Sequence, residues 1–345
     1  MRVRRRRYER QPQHRRRLSR PVISVGNLSM GGTGKSPVVA AIAQWLIDAG
    51  ERPAILSRGY ARRDAVDGVV VVSDGTSILA TVDRSGDEPL MLARQVPRAI
   101  VCVSPDRYLA GTLAEHQLGC TVHILDDGFQ HLELARDLDI LVTNVGEIPN
   151  GKVIPAGRLR EPIDAAARAQ VLVVSDATAG AAASEAWALG ISQSCGALRR
   201  LSAPVSVSEP GAESREPGAG SVLAVVGIAN PDRFVTSLKN AGWNVVDTLT
   251  FKDHHRYSAA DVAAIAARMA ASCATAVLTT DKDAVRFESL SSLPFAIYRV
   301  PLRVAFDPAE ALFDSIEAVL ETASTPSNEL PPSRAALRRT SRRAR

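Results

Sequence analysis

Residues 22–36 read Val-Ile-Ser-Val-Gly-Asn-Leu-Ser-Met-Gly-Gly-Thr-Gly-Lys-Ser, and the reading of this stretch decides the fold. The apolar run Val22 to Val25 reads as a strand. It feeds a glycine-rich loop ending in Gly34-Lys35-Ser36, and a helical pattern follows in Val38, Val39, Ile42, Trp45 and Leu46 until Gly50. Strand, glycine-rich loop and helix in that order form the context of a nucleotide-binding P-loop. Gly31, Gly32, Thr33 and Gly34 let backbone N–H groups close around phosphate oxygens, and the helix N-terminus adds partial positive charge. Lys35 is expected to reach the β- and γ-phosphates and Ser36 to hold Mg²⁺. The pattern is not strict, since Ser29 stands where the longer form of the motif has its first glycine.

Outward from the loop, strand-like and helical runs alternate. Pro53–Leu56, Ala99–Val103, Thr121–Leu125, Leu138–Val142 and Val171–Val174 read as strands, with helices over 90–96 and 106–118, and Gly68–Ser73 reads as one arm of a hairpin. A second series runs from Val222 to Thr279, with strands at 222–226, 243–249 and 276–279 and helices at 231–241 and 258–271. Such alternation implies a parallel sheet covered on both faces. The expected fold is α/β, a P-loop NTPase-type parallel sheet core with a second, smaller α/β domain. The expected divisions are a basic arm at 1–20, the ATP-binding domain at 21–204, a linker or surface loop at 205–220, the second domain at 221–321 and a disordered basic tail at 322–345.

The 345 residues are 46% apolar and 23% charged, which suits a globular protein with a core. Net charge is +5, but residues 1–20 carry +9 and residues 334–345 carry +6, so the stretch between is acidic at −10. The terminal arginine blocks read as solvated tails or as arms for an anionic surface. Cys102, Cys120, Cys195 and Cys273 form no C-x-x-C pair, so neither a disulfide framework nor a zinc site is indicated. No signal-peptide pattern or long apolar run is present, so a cytosolic chain with at most peripheral membrane contact is expected.

Asp126-Asp127 ends an apolar strand about 90 residues after the loop, where a carboxylate that holds Mg²⁺ beside the phosphate loop belongs. Asp87-Glu88-Pro89 opens a helix, a placement that also suits the helix dipole. His254-His255 follows a strand of the second half, and Thr279-Thr280-Asp281-Lys282-Asp283 reads either as part of the same sheet edge or as a polar turn.

Together these segments resemble the tetraacyldisaccharide 4′-kinase family, the lipid A 4′-kinases. The resembling pieces are Ser24–Leu28 leading into Gly31–Pro37, Leu56–Tyr60, Gly86–Pro89, Asp126–His131, Gly157–Glu161, Asp253–His255 and Thr279–Arg286. They stand in the family order and span about residues 21–305. The resemblance implies transfer of the γ-phosphoryl group of ATP to the 4′-hydroxyl of an acylated glucosamine disaccharide 1-phosphate, giving lipid IVA. It implies ATP and Mg²⁺ as cofactors and the cytoplasmic face of the inner membrane as the place of action. It assigns Asp87 and His254 to catalysis, with His254 favoured over His255. Ser36, Glu88, Asp126 and Asp127 are assigned to the metal, and Gln130, Arg158 and Arg160 to the neighbourhood of the nucleotide.

The resemblance departs at the N-terminus. Family members carry an apolar helical segment before the loop strand, whereas this chain has twenty arginine-rich residues. Electrostatic seating at ~1 kcal/mol per basic residue near an anionic surface is the expectation. A second reading is a P-loop GTPase-like metallochaperone or maturation factor with His254 and His255 on a metal. A nucleic-acid-binding ATPase is disfavoured, because the globule is acidic and no aromatic residues interleave the arginines.

Overall fold

The computed structural model describes residues 8, 12–60, 62–64, 67–148, 151–207, 220–288, 290 and 292–324. Half of the basic arm and most of the 205–220 linker and of the basic tail lie outside these residues.

The first half is a nine-stranded sheet in the order β14-β8-β7-β6-β1-β5-β2-β4-β3. Its strands are β1 (Val22–Gly26), β2 (Pro53–Ser57), β3 (Val70–Asp74), β4 (Ile100–Val103), β5 (Val122–Asp126), β6 (Leu138–Asn144), β7 (Val171–Ser175), β8 (Gln193–Leu201) and β14 (Leu302–Asp307). All neighbours are parallel except the two edges, β3 on β4 and β14 on β8. The central strands are buried throughout, which is why they read as largely apolar runs without alternation, Ser24 and His123 being buried polar exceptions. Gly68–Ser73 matches β3 in part: Ser73 bridges Ile78 across a tight turn, while the strand's long pairing is to β4.

Helices cover both faces. On one lie α1 (Lys35–Asp48), the short α2 (Val82–Ser85) and α3 (Asp87–Gln95), and on the other α4 (Arg107–Leu118) and α5 (Ala179–Leu189). The Asp106 side chain caps α4 by accepting from the Leu109 N–H at 3.1 Å, a standard start signal that the sequence carries openly.

The second half is a five-stranded sheet in the order β11-β10-β12-β13-β9. It contains β9 (Val205–Ser206), β10 (Val222–Val226), β11 (Val245–Thr250), β12 (Ala276–Thr279) and β13 (Ile297–Arg299), with α6 (Pro231–Asn240), α7 (Ala259–Ser272) and α8 (Asp281–Phe287). Ser258 and Asp261 form a reciprocal capping box at the start of α7.

Three boundaries differ from the sequence expectation. Val205–Ser206 is a strand paired to β13, where the sequence reads as linker. After β13 the chain leaves the second sheet: β14 pairs antiparallel with β8, and α9 (Glu310–Ser324) buries Leu312 and Ile316 in the core of the first half. Trp45 of α1 stacks on Phe313 of α9 with ring centroids 4.5 Å apart. The second half is therefore an insertion that ends near residue 301. At the other end, residues 12–20 dock on the first half. Leu18 is buried, and Arg16 grips Asp106 through two hydrogen bonds of 2.7 and 2.9 Å. Arginine blocks read as solvated because charge repels, but here facing carboxylates compensate it.

β1 lies between β5 and β6, with Val25 opposite both Asp126 and Ile140. The chain winds to one side of β1 through β2 and β4, returns in β5, and crosses to β6 on the other side. Crevices at such a reversal, at the carboxyl ends of the strands, are where α/β sheets bind ligands. The P-loop, Ser57 and Asp126-Asp127 all emerge there.

Candidate active site

The loop after β1 is held from several sides. Asn27, fully buried, donates from Nδ2 to the Ser29 carbonyl at 2.8 Å and to Thr33 Oγ1 at 3.0 Å. Its Oδ1 accepts from Lys35 Nζ at 3.0 Å. Ser175 Oγ, at the end of β7, donates to the Thr33 carbonyl at 2.6 Å. Gly34 has φ +87°, and a Cβ there would lie 2.8 Å from Ser175 Oγ, so this position needs glycine on both counts. Arg158 Nη2 donates to the Met30 carbonyl at 2.9 Å. Gly32 has open space around it, and Ser36 is the second residue of α1.

The two carboxylates ending β5 have different surroundings. Asp127, with φ +52°, accepts from Arg160 at 2.8 and 3.0 Å and pairs with Lys35 at 3.3 Å. Burial raises its pKa, but Lys35 and Arg160 outweigh that and hold it below the usual carboxylate range. Asp126 is buried and, among the described residues, accepts from Ser57 Oγ alone, at 3.1 Å. Burial, with repulsion from Glu88 and Asp127, pushes its carboxyl up to about 7. Arg107, buried at the start of α4, is driven down to about 10 by burial, with Asp126 opposing.

Asp87 and His254 come from different halves and meet. His254 Nδ1 lies 2.9 Å from Asp87 Oδ2. Arg286 of α8 donates to the same oxygen from Nε at 2.8 Å, and its Nη2 lies 2.6 Å away. Burial pushes the Asp87 carboxyl up, yet Arg286 and His254 prevail and hold it below the usual range. His254 has φ +61°, a strained backbone for a residue with a Cβ, and one that clusters at functional sites. His255 turns elsewhere, 3.1 Å from Asp261 Oδ2 and stacked on Phe251. The adjacent histidines therefore do not share one ligand, which removes the metal-delivery geometry of the second reading.

Lys282, one helical turn before Arg286, lies 3.7 Å from Glu88, 3.4 Å from Asp253 and 3.3 Å from His254 Nε2. An ammonium only donates, so Nε2 accepts and His254 carries its proton on Nδ1, towards Asp87. A cavity of about 330 Å³ adjoins Asp87, lined among others by Arg63, Asp83, Arg256, Tyr257 and Arg286.

Among the described residues no group of three or more His, Cys, Asp or Glu side chains is gathered to hold a metal ion. The assignment of Ser36, Glu88, Asp126 and Asp127 to one shell is therefore not met by protein geometry alone. Asp127 is engaged by Lys35 and Arg160 instead. The donor chemistry nevertheless suits Mg²⁺: hard oxygens, a buried Asp126 destabilised by two neighbouring carboxylates, and room for phosphate oxygens as further ligands. Gln130 is likewise occupied, donating to the Asn27 carbonyl at 2.9 Å and to Glu161 at 3.2 Å, so it braces the loop.

Asn27, Ser57, Lys282 and Arg286 had no role in the sequence reading. All four lie in segments that carry the family resemblance, and the four-residue spacing of Lys282 and Arg286 sets both on one helix face.

Comparison with known proteins gives consistent results. A family profile described as tetraacyldisaccharide-1-P 4′-kinase matches residues 1–321. The tetraacyldisaccharide 4′-kinase of Geobacter metallireducens is 39% identical over 311 residues, covering 88% of this chain and 90% of its own. That of Pelobacter propionicus is 41% identical over 312 residues, covering 89% and 85%. The LpxK of Aquifex aeolicus, whose crystal structure is described as in complex with ATP, superposes with TM-score 0.74 at 30% identity, covering 92% of this chain and 94% of that one.

Proposed function

The chain belongs to the tetraacyldisaccharide-1-phosphate 4′-kinase family, and we infer from this premise that it transfers the γ-phosphoryl group of ATP to the 4′-hydroxyl of a tetraacylated glucosamine disaccharide 1-phosphate. The product is lipid IVA, a step of lipid A biosynthesis. The alternative of a GTPase-like metallochaperone is set aside by the family match and by the separation of His254 from His255.

The observation that carries the assignment of roles is the 2.9 Å contact of Asp87 with His254 beside the phosphate-binding edge. Neighbouring side chains connect the two ends. Lys35 meets Asp127, Asp126 lies within the field of Asp127 and Glu88, and Glu88 adjoins Asp87. Lys35 and the backbone N–H groups of Gly31–Ser36 bind and orient the phosphates. Glu88, Asp126 and Ser36 would hold Mg²⁺, which when bound neutralises phosphate charge, while Asp127 holds Lys35 and Arg160 in place. Asp87 takes the proton of the acceptor hydroxyl as its oxygen attacks. His254 holds the Asp87 carboxylate and stabilises it through the Nδ1 proton. Phosphoryl transfer is mostly positioning and charge neutralisation, so this division of labour is chemically sufficient.

Among the described residues no helix is long and apolar enough to cross a membrane. The substrate is a lipid, so the enzyme works at a membrane surface, and we assign it to the cytoplasmic face of the inner membrane, where ATP is present. The arginines of residues 1–11 supply the attraction to anionic lipid, and nucleic acid is not a partner in this reading. The test is transfer from labelled ATP to detergent-dispersed disaccharide 1-phosphate by the wild type and by Asp87→Ala. Loss of kcat by ~10²–10⁴-fold with ATP affinity retained is expected. An equal loss of turnover and of ATP binding would move Asp87 to the nucleotide site.

A further inference from the structure

Arg286 is almost completely buried, at the end of a network that has no surface role. Asp283, fully buried on the preceding turn of α8, accepts at Oδ1 from Tyr257 Oη at 3.1 Å and from Arg286 Nη1 at 2.9 Å. At Oδ2 it accepts from Thr280 Oγ1 at 2.7 Å and from the Gly227 N–H at 3.1 Å. Arg286 Nη1 also donates to the Gly227 carbonyl at 3.0 Å. A Cβ at Gly227 would fall 2.9 Å from Asp283 Oδ1 and 3.4 Å from Arg286 Nη1, so glycine admits the network to the backbone at the end of β10. Asp283, itself held by Tyr257, Thr280 and the Gly227 N–H, and the Gly227 carbonyl therefore fix one guanidinium, and its Nε and Nη2 edge is presented to a carboxylate of the first half.

That edge and the His254 ring converge on the same atom. His254 Nδ1, Arg286 Nε and Arg286 Nη2 lie 2.9, 2.8 and 2.6 Å from Asp87 Oδ2. No such partner is found for Oδ1 among the described residues. Held by two hydrogen bonds and by a third nitrogen in ion-pair contact, Oδ2 is the weaker base of the two oxygens and has no room for a substrate hydroxyl.

We propose that Arg286 is the positioning residue of the kinase: with His254 it saturates Oδ2 of Asp87 and so leaves Oδ1 as the atom that takes the proton of the acceptor hydroxyl. In the step, the hydroxyl O–H bond breaks and its proton moves to Oδ1. The hydroxyl oxygen forms a bond to the γ-phosphorus, and the bond from that phosphorus to the β,γ-bridging oxygen breaks to release ADP. Because Arg286 and Asp87 belong to different halves, the base is aligned only while α8 is docked on α3. Further contacts hold this docking: Gln95 Nε2 donates to Asp281 Oδ2 at 2.7 Å, and Arg94 pairs with Glu288 at 2.8 Å.

The proposal rests on the reading of Asp87 as the acid–base group, and a double-substitution cycle separates the two. Asp87→Asn, Arg286→Lys and the double variant are compared for kcat and for the KM of ATP. Lysine keeps the charge and loses the fork. The expected result for Arg286→Lys is a loss of kcat of about 10²-fold, with the KM of ATP unchanged, the magnitude of a misplaced catalytic group. In the Asp87→Asn background the same substitution should cost nothing further. Wild-type kcat in Arg286→Lys, or losses that multiply in the double variant, would overturn the proposal while leaving Asp87 its role. Full activity of Asp87→Asn would instead remove the parent reading, and the proposal with it. Should Arg286→Lys fail to bind ATP, Gly227→Ala carries the same cycle. It shifts the fork without removing it, and a smaller kcat loss that vanishes with Asn at 87 is expected. A multiplying loss, or none, refutes the proposal.

Discussion

Asp126→Asn should stabilise the metal-free enzyme and disable it as a kinase. Asp126 is buried, with Ser57 Oγ at 3.1 Å, and two nearby carboxylates add to the effect of burial. Its carboxyl is raised from 3.8 to about 7. A raised carboxyl means that between those values the folded state binds more protons than the unfolded one, so stability falls as pH rises through that window. At 1.36 kcal/mol per pH unit, the fully ionised group costs the fold about 4 kcal/mol above pH 7, and well under half of that at pH 5. Asparagine has no charge to bury, and its Oδ1 still accepts from Ser57. The assay is thermal unfolding of wild type and variant in EDTA at pH 5 and pH 8. At ~2–4 °C per kcal/mol the variant should melt roughly 10 °C higher at pH 8 and only a few degrees higher at pH 5. Added Mg²⁺ and ATP should narrow the gap by stabilising the wild type alone. Equal shifts at the two pH values, or a lower melting point for the variant at pH 8, would refute the reasoning.

Lys35→Met should weaken ATP binding by about tenfold to a hundredfold, the value of a charge-assisted hydrogen bond of about 1.5–3 kcal/mol; calorimetric titration checks this, and an unchanged Kd contradicts it. Leu312→Ala should destabilise the nucleotide-binding half by about 2–5 kcal/mol, because Leu312 is fully buried in its core although it follows the second half in sequence. Denaturant melts monitored through Trp45, which stacks on the adjacent Phe313, report on it directly. Deleting residues 2–11 should reduce binding to anionic vesicles in a salt-sensitive way, at ~1 kcal/mol per arginine lost. Extending the deletion through residue 20 should lower the melting point as well, since Leu18 and the Arg16–Asp106 pair go with it.

Much of the fold was legible because its signals are local. Val171–Val174 is apolar on every residue, and Val22–Val25 and Thr121–Leu125 are apolar but for Ser24, Thr121 and His123, as suits strands covered on both faces. Gly34-Lys35-Ser36 after the first of them announced the phosphate loop. The helix starts at Asp106 and Ser258 carry their caps in the sequence. What escaped was long-range. Nothing in Leu302–Asp307 says that it pairs with β8, across a whole inserted sheet, instead of with its neighbour β13. Its alternating burial suits any half-covered strand.

The same division runs through the site. The sequence alone determined which chemistry is present: a loop that binds phosphate, a carboxylate pair at the end of a buried strand, an Asp-Glu pair opening a helix, and two histidines in a second domain. These are fixed by spacing along the chain, because backbone geometry turns spacing into position within one element. Which of these groups meet was decided only by the tertiary structure. It turned His254 to Asp87 and His255 to Asp261, gave Asp127 to Lys35 and Arg160 while leaving Asp126 nearly unpartnered, and brought Arg286 to Asp87 from 199 positions away. The physical reason is that charge and hydrogen bonding act through space over a few ångströms, and two halves joined by an insertion set those distances by docking, which no local run of residues encodes.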